Sequence, residues 1–305
     1  MYASLDVGTN TVRLLLGEAR QGKIIPSSYL RSITRLGGGF TPETGLSDSA
    51  MGRTLATLVE FSEALTKTSV AAVSAVATEA LRRAVNAESF LARVHAETAF
   101  DLEIIPGDLE AELSCAGVLS ALDEVPEHAL IFDIGGGSTE FVYVVDGQPR
   151  FWRSYPLGTV MLCEHLPGPV AQQAHIDRTL RLLDEDLVRC GIPFPLPAGT
   201  LPIGTAGTVT TLAALDLKMI DYDWRRINNH QLDTLSLQIL HEQLEPLAPQ
   251  ERELLPGMEK GRGDLILPGL RIVESVVDFC GCPRMTVSDF GLLEGGILRA
   301  ANAVS

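Results

Sequence analysis

The chain has 305 residues, 46% of them hydrophobic and 21% charged, enough for two domains of ordinary size with their own cores. Its formal net charge of −15 argues against general nucleic-acid binding. No apolar run approaches the length of a membrane span.

The charge is uneven. Residues 1–100 carry 10 Lys and Arg against 9 Asp and Glu, and the remainder 14 against 30. The first part therefore has the arginines that an anionic ligand needs. The N-terminus opens on an apolar strand with no basic-then-apolar leader, so a cytoplasmic protein is the expectation. Cys115, Cys163, Cys190, Cys280 and Cys282 have no framework spacing and read as reduced thiols.

In chain order, residues 2–18 read as a strand hairpin and 23–32 as a third strand. A glycine loop follows at 35–40, continued by Pro42 and Gly45. Ser47 is placed to cap a long helix whose apolar positions Met51, Leu55, Leu58, Val59 and Leu65 recur at helical spacing. A strand at 70–77, helices at 78–86 and 90–98, a short strand at 102–105 and a helix at 109–122 complete the first half, with a joint at 124–128. The second half opens on a hairpin, then a strand at 151–155 and helices from 157 and at 171–190. A strand at 201–203 runs into the small-residue loop 204–208 and a helix at 209–217. Helices at 231–246, 249–255 and 263–277, a strand at 284–287 and a last helix at 291–302 follow. Two domains, 1–124 and 125–305, are expected, with the last helix a candidate to pack back on the first.

The second hairpin is built on DIGGGSTE at 133–140. Its consecutive glycines permit positive φ and close backbone approach, and their N–H groups form a nest for an anion. A carboxylate at the mouth of such a nest repels a bare phosphate and better suits a metal that bridges to one. The same device stands 127 residues earlier, as DVGTNT at 6–11. A repeat at one domain's spacing points to a duplicated domain with two phosphate loops facing a cleft. The loop at 204–208 feeds a helix N-terminus, a ready anion site or simply a tight packing turn.

These stretches resemble the exopolyphosphatase / guanosine pentaphosphate phosphohydrolase (Ppx/GppA) family, of the actin, Hsp70 and sugar kinase superfamily. The resemblance is carried by DVGTNTVRLLL at 6–16, RLGGG at 35–39, ATEALRRAVN at 77–86, IIPGDLEAELSCAGV at 104–118, LIFDIGGGSTEFVYV at 130–144, YPLGTVML at 155–162, IGTAGTVTTLAAL at 203–215 and FGLLEGGIL at 290–298. The chain departs from the family's usual residues at Gly38, Pro106, Leu109 and Leu293, and it looks like a short, two-domain member.

The resemblance implies an α/β protein of two ribonuclease H-like domains and an Mg²⁺-dependent hydrolysis of a terminal phosphoanhydride, releasing orthophosphate from inorganic polyphosphate. It leaves open guanosine pentaphosphate as the substrate, or a regulatory protein that binds either with little turnover. It implies Glu110 and Asp133 as catalytic residues, Glu110 orienting the attacking water. Asp6, Asp133 and Glu140 are implied for the metal. Gly8, Thr9, Asn10, Gly135, Gly136 and Ser138 are implied as phosphate donors, with Arg13, Arg35 and Arg82 as arginine contacts. Gly204, Gly207 and Thr208 match a loop that touches nucleotide in the superfamily kinases. A homodimer is a family expectation.

Overall fold

The structure is a computed structural model describing residues 1–41, 43–98 and 100–304. Pro42, read above as part of the glycine loop, lies outside the described residues. The chain divides into two compact units, Met1–Ser120 with Gly291–Ser305, and Ala121–Phe290.

The first unit begins with an antiparallel meander, β1 (Tyr2–Val7), β2 (Thr11–Arg20) and β3 (Lys23–Ile33). Then come α1 (Asp48–Thr66), β4 (Val73–Ala77), α2 (Glu79–Arg83), α3 (Ala87–Thr98), β5 (Glu103–Ile104) and α4 (Gly107–Ala121). Ser47 caps α1, its side chain accepting from the Ala50 amide. The sheet order is β3-β2-β1-β4-β5, with β1, β4 and β5 parallel. Leu5, Leu14, Leu36, Leu58 and Phe90 are sealed in its core.

The second unit repeats the plan. A meander, β6 (His128–Ile134), β7 (Thr139–Val145) and β8 (Gln148–Tyr155), precedes α5 (Thr159–His165) and α6 (Gly168–Arg189). β9 (Leu201–Thr205), α7 (Ala206–Asp216), α8 (Trp224–Ile227), β10 (Gln231–Asp233), α9 (Thr234–Leu244), α10 (Pro249–Arg252), α11 (Ile266–Phe279) and β11 (Arg284–Val287) follow. The order β10-β11-β9-β6-β7-β8 is the first sheet's pattern with one added edge strand. Both sheets are mixed, the ribonuclease H-like arrangement. Phe132, Phe141, Leu183, Val209 and Val273 are central to this unit's core.

The sequence pattern at 231–246 reads as one helix, but the structure gives three residues to a strand. Gln231–Asp233 pairs antiparallel with β11, and the Asp233 carboxylate accepts from the Ser236 amide at 2.7 Å. That N-cap fixes where the helix can begin.

The last helix, α12 (Leu292–Asn302), belongs to the first unit and packs on β1, β2 and β4. Its glycines permit a backbone-to-backbone approach. A Cβ at Gly295 would lie 1.9 Å from the Leu113 carbonyl oxygen of α4, and one at Gly117 would lie 1.8 Å from that of Gly291. Glu294 accepts from the Gly291 amide at 2.8 Å, capping the helix from within. No described helix is long and apolar enough to cross a membrane.

Candidate active site

The two glycine hairpins have the same internal geometry. In the first, the Gly8 amide donates to the Thr11 carbonyl at 3.0 Å; in the second, Gly135 donates to Ser138 at 2.9 Å. Asp6 pairs with Arg13 across β1 and β2, and Asp133 with Glu140 across β6 and β7. In each pair the residues are directly opposed, so their side chains lie on one face of the sheet.

Each turn has its carbonyls tied down from behind. The Gly37 amide donates to the Thr9 carbonyl at 2.8 Å, and Thr34 and Arg35 donate to that of Asn10 at 3.0 and 2.9 Å. The RLGGG stretch therefore buttresses the first loop, with Gly37 close enough that a Cβ would meet the Thr9 methyl at 2.5 Å. In the second unit the start of α5 does this work. Thr159 donates to the Gly135 carbonyl at 3.1 Å and Met161 to that of Gly136 at 3.0 Å. A Cβ on Gly158 would lie 2.2 Å from the Gly136 oxygen, so only glycine lets α5 approach. With these acceptors engaged, and the Gly8 and Gly135 amides closing the turns themselves, the other N–H groups of each turn are suited to an anion.

The carboxylates have different surroundings. Asp6 is buried, and its Oδ2 accepts from Arg13 Nε at 2.9 Å and Nη2 at 2.6 Å. Arg13, implied as a phosphate contact, is thus engaged with Asp6, and Asp6, implied for metal, already has a cation on it. Glu140 Oε1 accepts from Ser138 Oγ at 2.7 Å and Ser154 Oγ at 2.5 Å. Ser154, absent from the sequence reading, was hidden because only strand register places β8 beside Glu140.

A divalent metal fits the second pair. Asp133 and Glu140 supply carboxylate oxygens at adjacent positions, the hard donors Mg²⁺ takes. No group of three His, Cys, Asp or Glu residues gathers among the described residues. An ion held by two carboxylates would need water and other oxygens to complete its shell, as Mg²⁺ commonly does.

Glu110 lies in the first turn of α4, where the helix dipole favours an acid. Its Oε2 accepts from Arg82 Nη1 at 2.7 Å, and the same nitrogen donates to the Ile105 carbonyl at 2.7 Å. Arg82, implied as a phosphate contact, is bonded to the candidate general base. Both side chains stay partly exposed, at 27% and 29%. Arg35 is exposed beside the first loop, its own backbone at φ +50. Leu293 is buried rather than offered to a ligand.

The loop into α7 is differently used. Thr208 is 2% exposed, and its methyl sits where a Cβ on Gly269 would fall. It packs the helix rather than facing a ligand. Gly207 lies under Arg262, whose Nη2 is 1.9 Å from the place a Cβ would take. Arg262 is paired with Glu259. Nearby, Tyr222 donates to Asp289 Oδ1 at 2.6 Å.

Burial pushes the Asp289 carboxyl up to about 6, the Tyr222 hydrogen bond opposing and the Glu259 charge adding to the rise. A carboxyl whose folded value exceeds its unfolded one stabilises fully below about pH 4 and loses that contribution as pH rises through about 6. Asp289→Asn is expected to flatten this part of a urea-midpoint profile against pH. An unchanged slope between those values would contradict it.

Comparison with known proteins follows the same lines. A family model described as the Ppx/GppA phosphatase family matches residues 18–303. "Exopolyphosphatase 2" of Mycobacterium tuberculosis is 32% identical, over 98% of this chain and 98% of that protein. "Exopolyphosphatase 1" of Mycobacterium bovis is 29% identical, over 97% of this chain and 86% of that one. Among solved structures, the type II variant of the Aquifex aeolicus Ppx/GppA phosphatase aligns with a TM-score of 0.85 at 28% identity, covering 98% of each chain. An exopolyphosphatase from Cytophaga hutchinsonii aligns at 0.77 with 28% identity, covering 96% of this chain and 95% of its own.

Proposed function

We propose, from the premise that this chain belongs to the Ppx/GppA phosphatase family, that it is an exopolyphosphatase. It hydrolyses the terminal phosphoanhydride of inorganic polyphosphate and releases orthophosphate. The observation that carries this reading is Glu110, a helix-start carboxylate fixed by an arginine that is itself anchored on a backbone carbonyl. Relatives named exopolyphosphatase support the choice of substrate.

Glu110 orients a water and accepts its proton as the water oxygen bonds to the terminal phosphorus. The bridging P–O bond breaks, and its electron pair leaves with the shortened chain. That leaving group is itself a phosphate and departs as an anion. In the first unit, the amides of Thr9 and Asn10 hold phosphate oxygens, the Gly8 amide being engaged on the Thr11 carbonyl within the turn. In the second, the Gly136 and Ser138 amides would do so, the Gly135 amide closing the turn on the Ser138 carbonyl, and Asp133 and Glu140 would hold Mg²⁺. An Mg²⁺ held by these two carboxylates would supply positive charge against the negative charge of the reacting phosphate.

The test is orthophosphate release from long-chain polyphosphate and from guanosine pentaphosphate, side by side, with Mg²⁺ and with chelator. Faster release from polyphosphate, abolished by chelator, is expected. Release mainly from the nucleotide would replace the substrate, and binding of both without release would overturn the enzyme reading.

A further inference from the structure

The duplicated hairpins differ in sign at one matched position. Seven residues after each hairpin aspartate, the directly opposed strand residue is Arg13 in the first and Glu140 in the second. Around Asp6 this gives a carboxylate 3% exposed, with a guanidinium on Oδ2 through two nitrogens at 2.9 and 2.6 Å. Its Oδ1 is buried and has no hydrogen-bond partner among the described residues. Around Asp133 the matched residue adds a second negative charge, and two hydroxyls steady it.

A buried carboxylate needs a compensating cation. An Asp–Arg pair carries its own, whereas the matched position of the second hairpin is a carboxylate, Glu140. A guanidinium on the carboxylate also repels a divalent ion electrostatically and occupies Oδ2, one of the two oxygens that an ion would bind. We propose that Arg13 is a counter-ion built into the first loop, excluding divalent metal from Asp6 so that this loop binds phosphate without one. The second loop alone is then the metal-dependent half of the duplication. The inference rests on the assignment of the divalent ion to Asp133 and Glu140.

The experiment counts tight Mn²⁺ ions per full-length chain by electron paramagnetic resonance, with the ion alone and no substrate. One ion is expected for the unaltered protein and none for Asp133→Asn. Arg13→Gln is expected to bind two, because Asp6 loses its internal cation and accepts a metal. Arg13→Gln with Asp133→Asn should bind one. Asp6→Asn removes a carboxylate that holds no metal and should leave the count at one. It also keeps the inference testable if Arg13→Gln fails to fold. An Arg13→Gln count no higher than that of the unaltered protein overturns the inference, as does loss of an ion in Asp6→Asn. If Asp133→Asn keeps its ion, the second-loop assignment fails instead, while the step gained on removing Arg13 still decides the role of Arg13.

Discussion

Glu110→Gln lowers kcat by about 10²- to 10⁴-fold, the span that general-base catalysis usually contributes. The amide keeps the length of the side chain and an oxygen able to accept from Arg82, so the bond at 2.7 Å can persist while proton acceptance is lost. KM for polyphosphate should stay within a few-fold, since the phosphate-binding turns are untouched. Mn²⁺ binding should not change either, because Glu110 is not among the assigned ligands. A stopped assay of orthophosphate release with excess enzyme would read the chemical step directly. Full turnover in this variant would remove Glu110 from the mechanism. Arg82→Gln should also lower kcat, since it frees Glu110 from the anchor on the Ile105 carbonyl.

Gly295→Ala destabilises the first unit by about 3 kcal/mol, the upper part of the range for overpacking. Its Cβ would lie 1.9 Å from the Leu113 carbonyl oxygen and 3.0 Å from Leu113 Cα, so backbone, not a flexible side-chain tip, must yield. Either α12 lifts from the sheet or α4 shifts, and α4 carries Glu110 at its start. The loss should therefore appear both in a urea midpoint and in kcat. Gly52→Ala is the matching control. Gly52 is an exposed glycine within α1 with nothing within 4 Å of its added Cβ, and the change should stabilise by about 0.5–1 kcal/mol. Equal effects at the two positions would mean that the close approach of α4 and α12 does not limit stability.

Periodicity and turn chemistry made most of this architecture legible. The apolar spacing of Met51, Leu55 and Leu58 with Ser47 ahead of it locates α1, and the 127-residue repeat of an Asp-to-Gly turn anticipates two sheets of one plan. The match of fold to the relatives followed from the same motifs. What could not be read were partnerships made by register and tertiary packing. Arg13 and Asp6 are seven apart, too far for a side-chain ion pair along a helix or a single strand, but the register makes them direct neighbours across a hairpin. Arg82 and Glu110 are separated by 28 residues and meet only because the chain after β4 and the start of α4 lie side by side. A motif marks an arginine as significant without saying whether its partner is a substrate or a carboxylate of the same chain. Thr208 illustrates the reverse, a hydroxyl in a small-residue loop whose place is inside the fold. The glycines of α12 did leave a trace. Two adjacent glycines inside a helical pattern cost helix stability and call for a packing reason.

That helix also sets an order of events during synthesis. The first unit owns both ends of the chain, so its sheet leaves the ribosome long before the 15 residues that cover it. The second unit is one uninterrupted stretch and can fold while the remainder is still being made. Until then the faces of β1, β2 and β4 awaiting α12 remain open to water or to a chaperone. Loss of α12, by a premature stop or by trimming, would therefore harm the unit built on Met1–Ser120. The intact middle would survive as a folded remnant that keeps its own glycine turn but lacks Glu110.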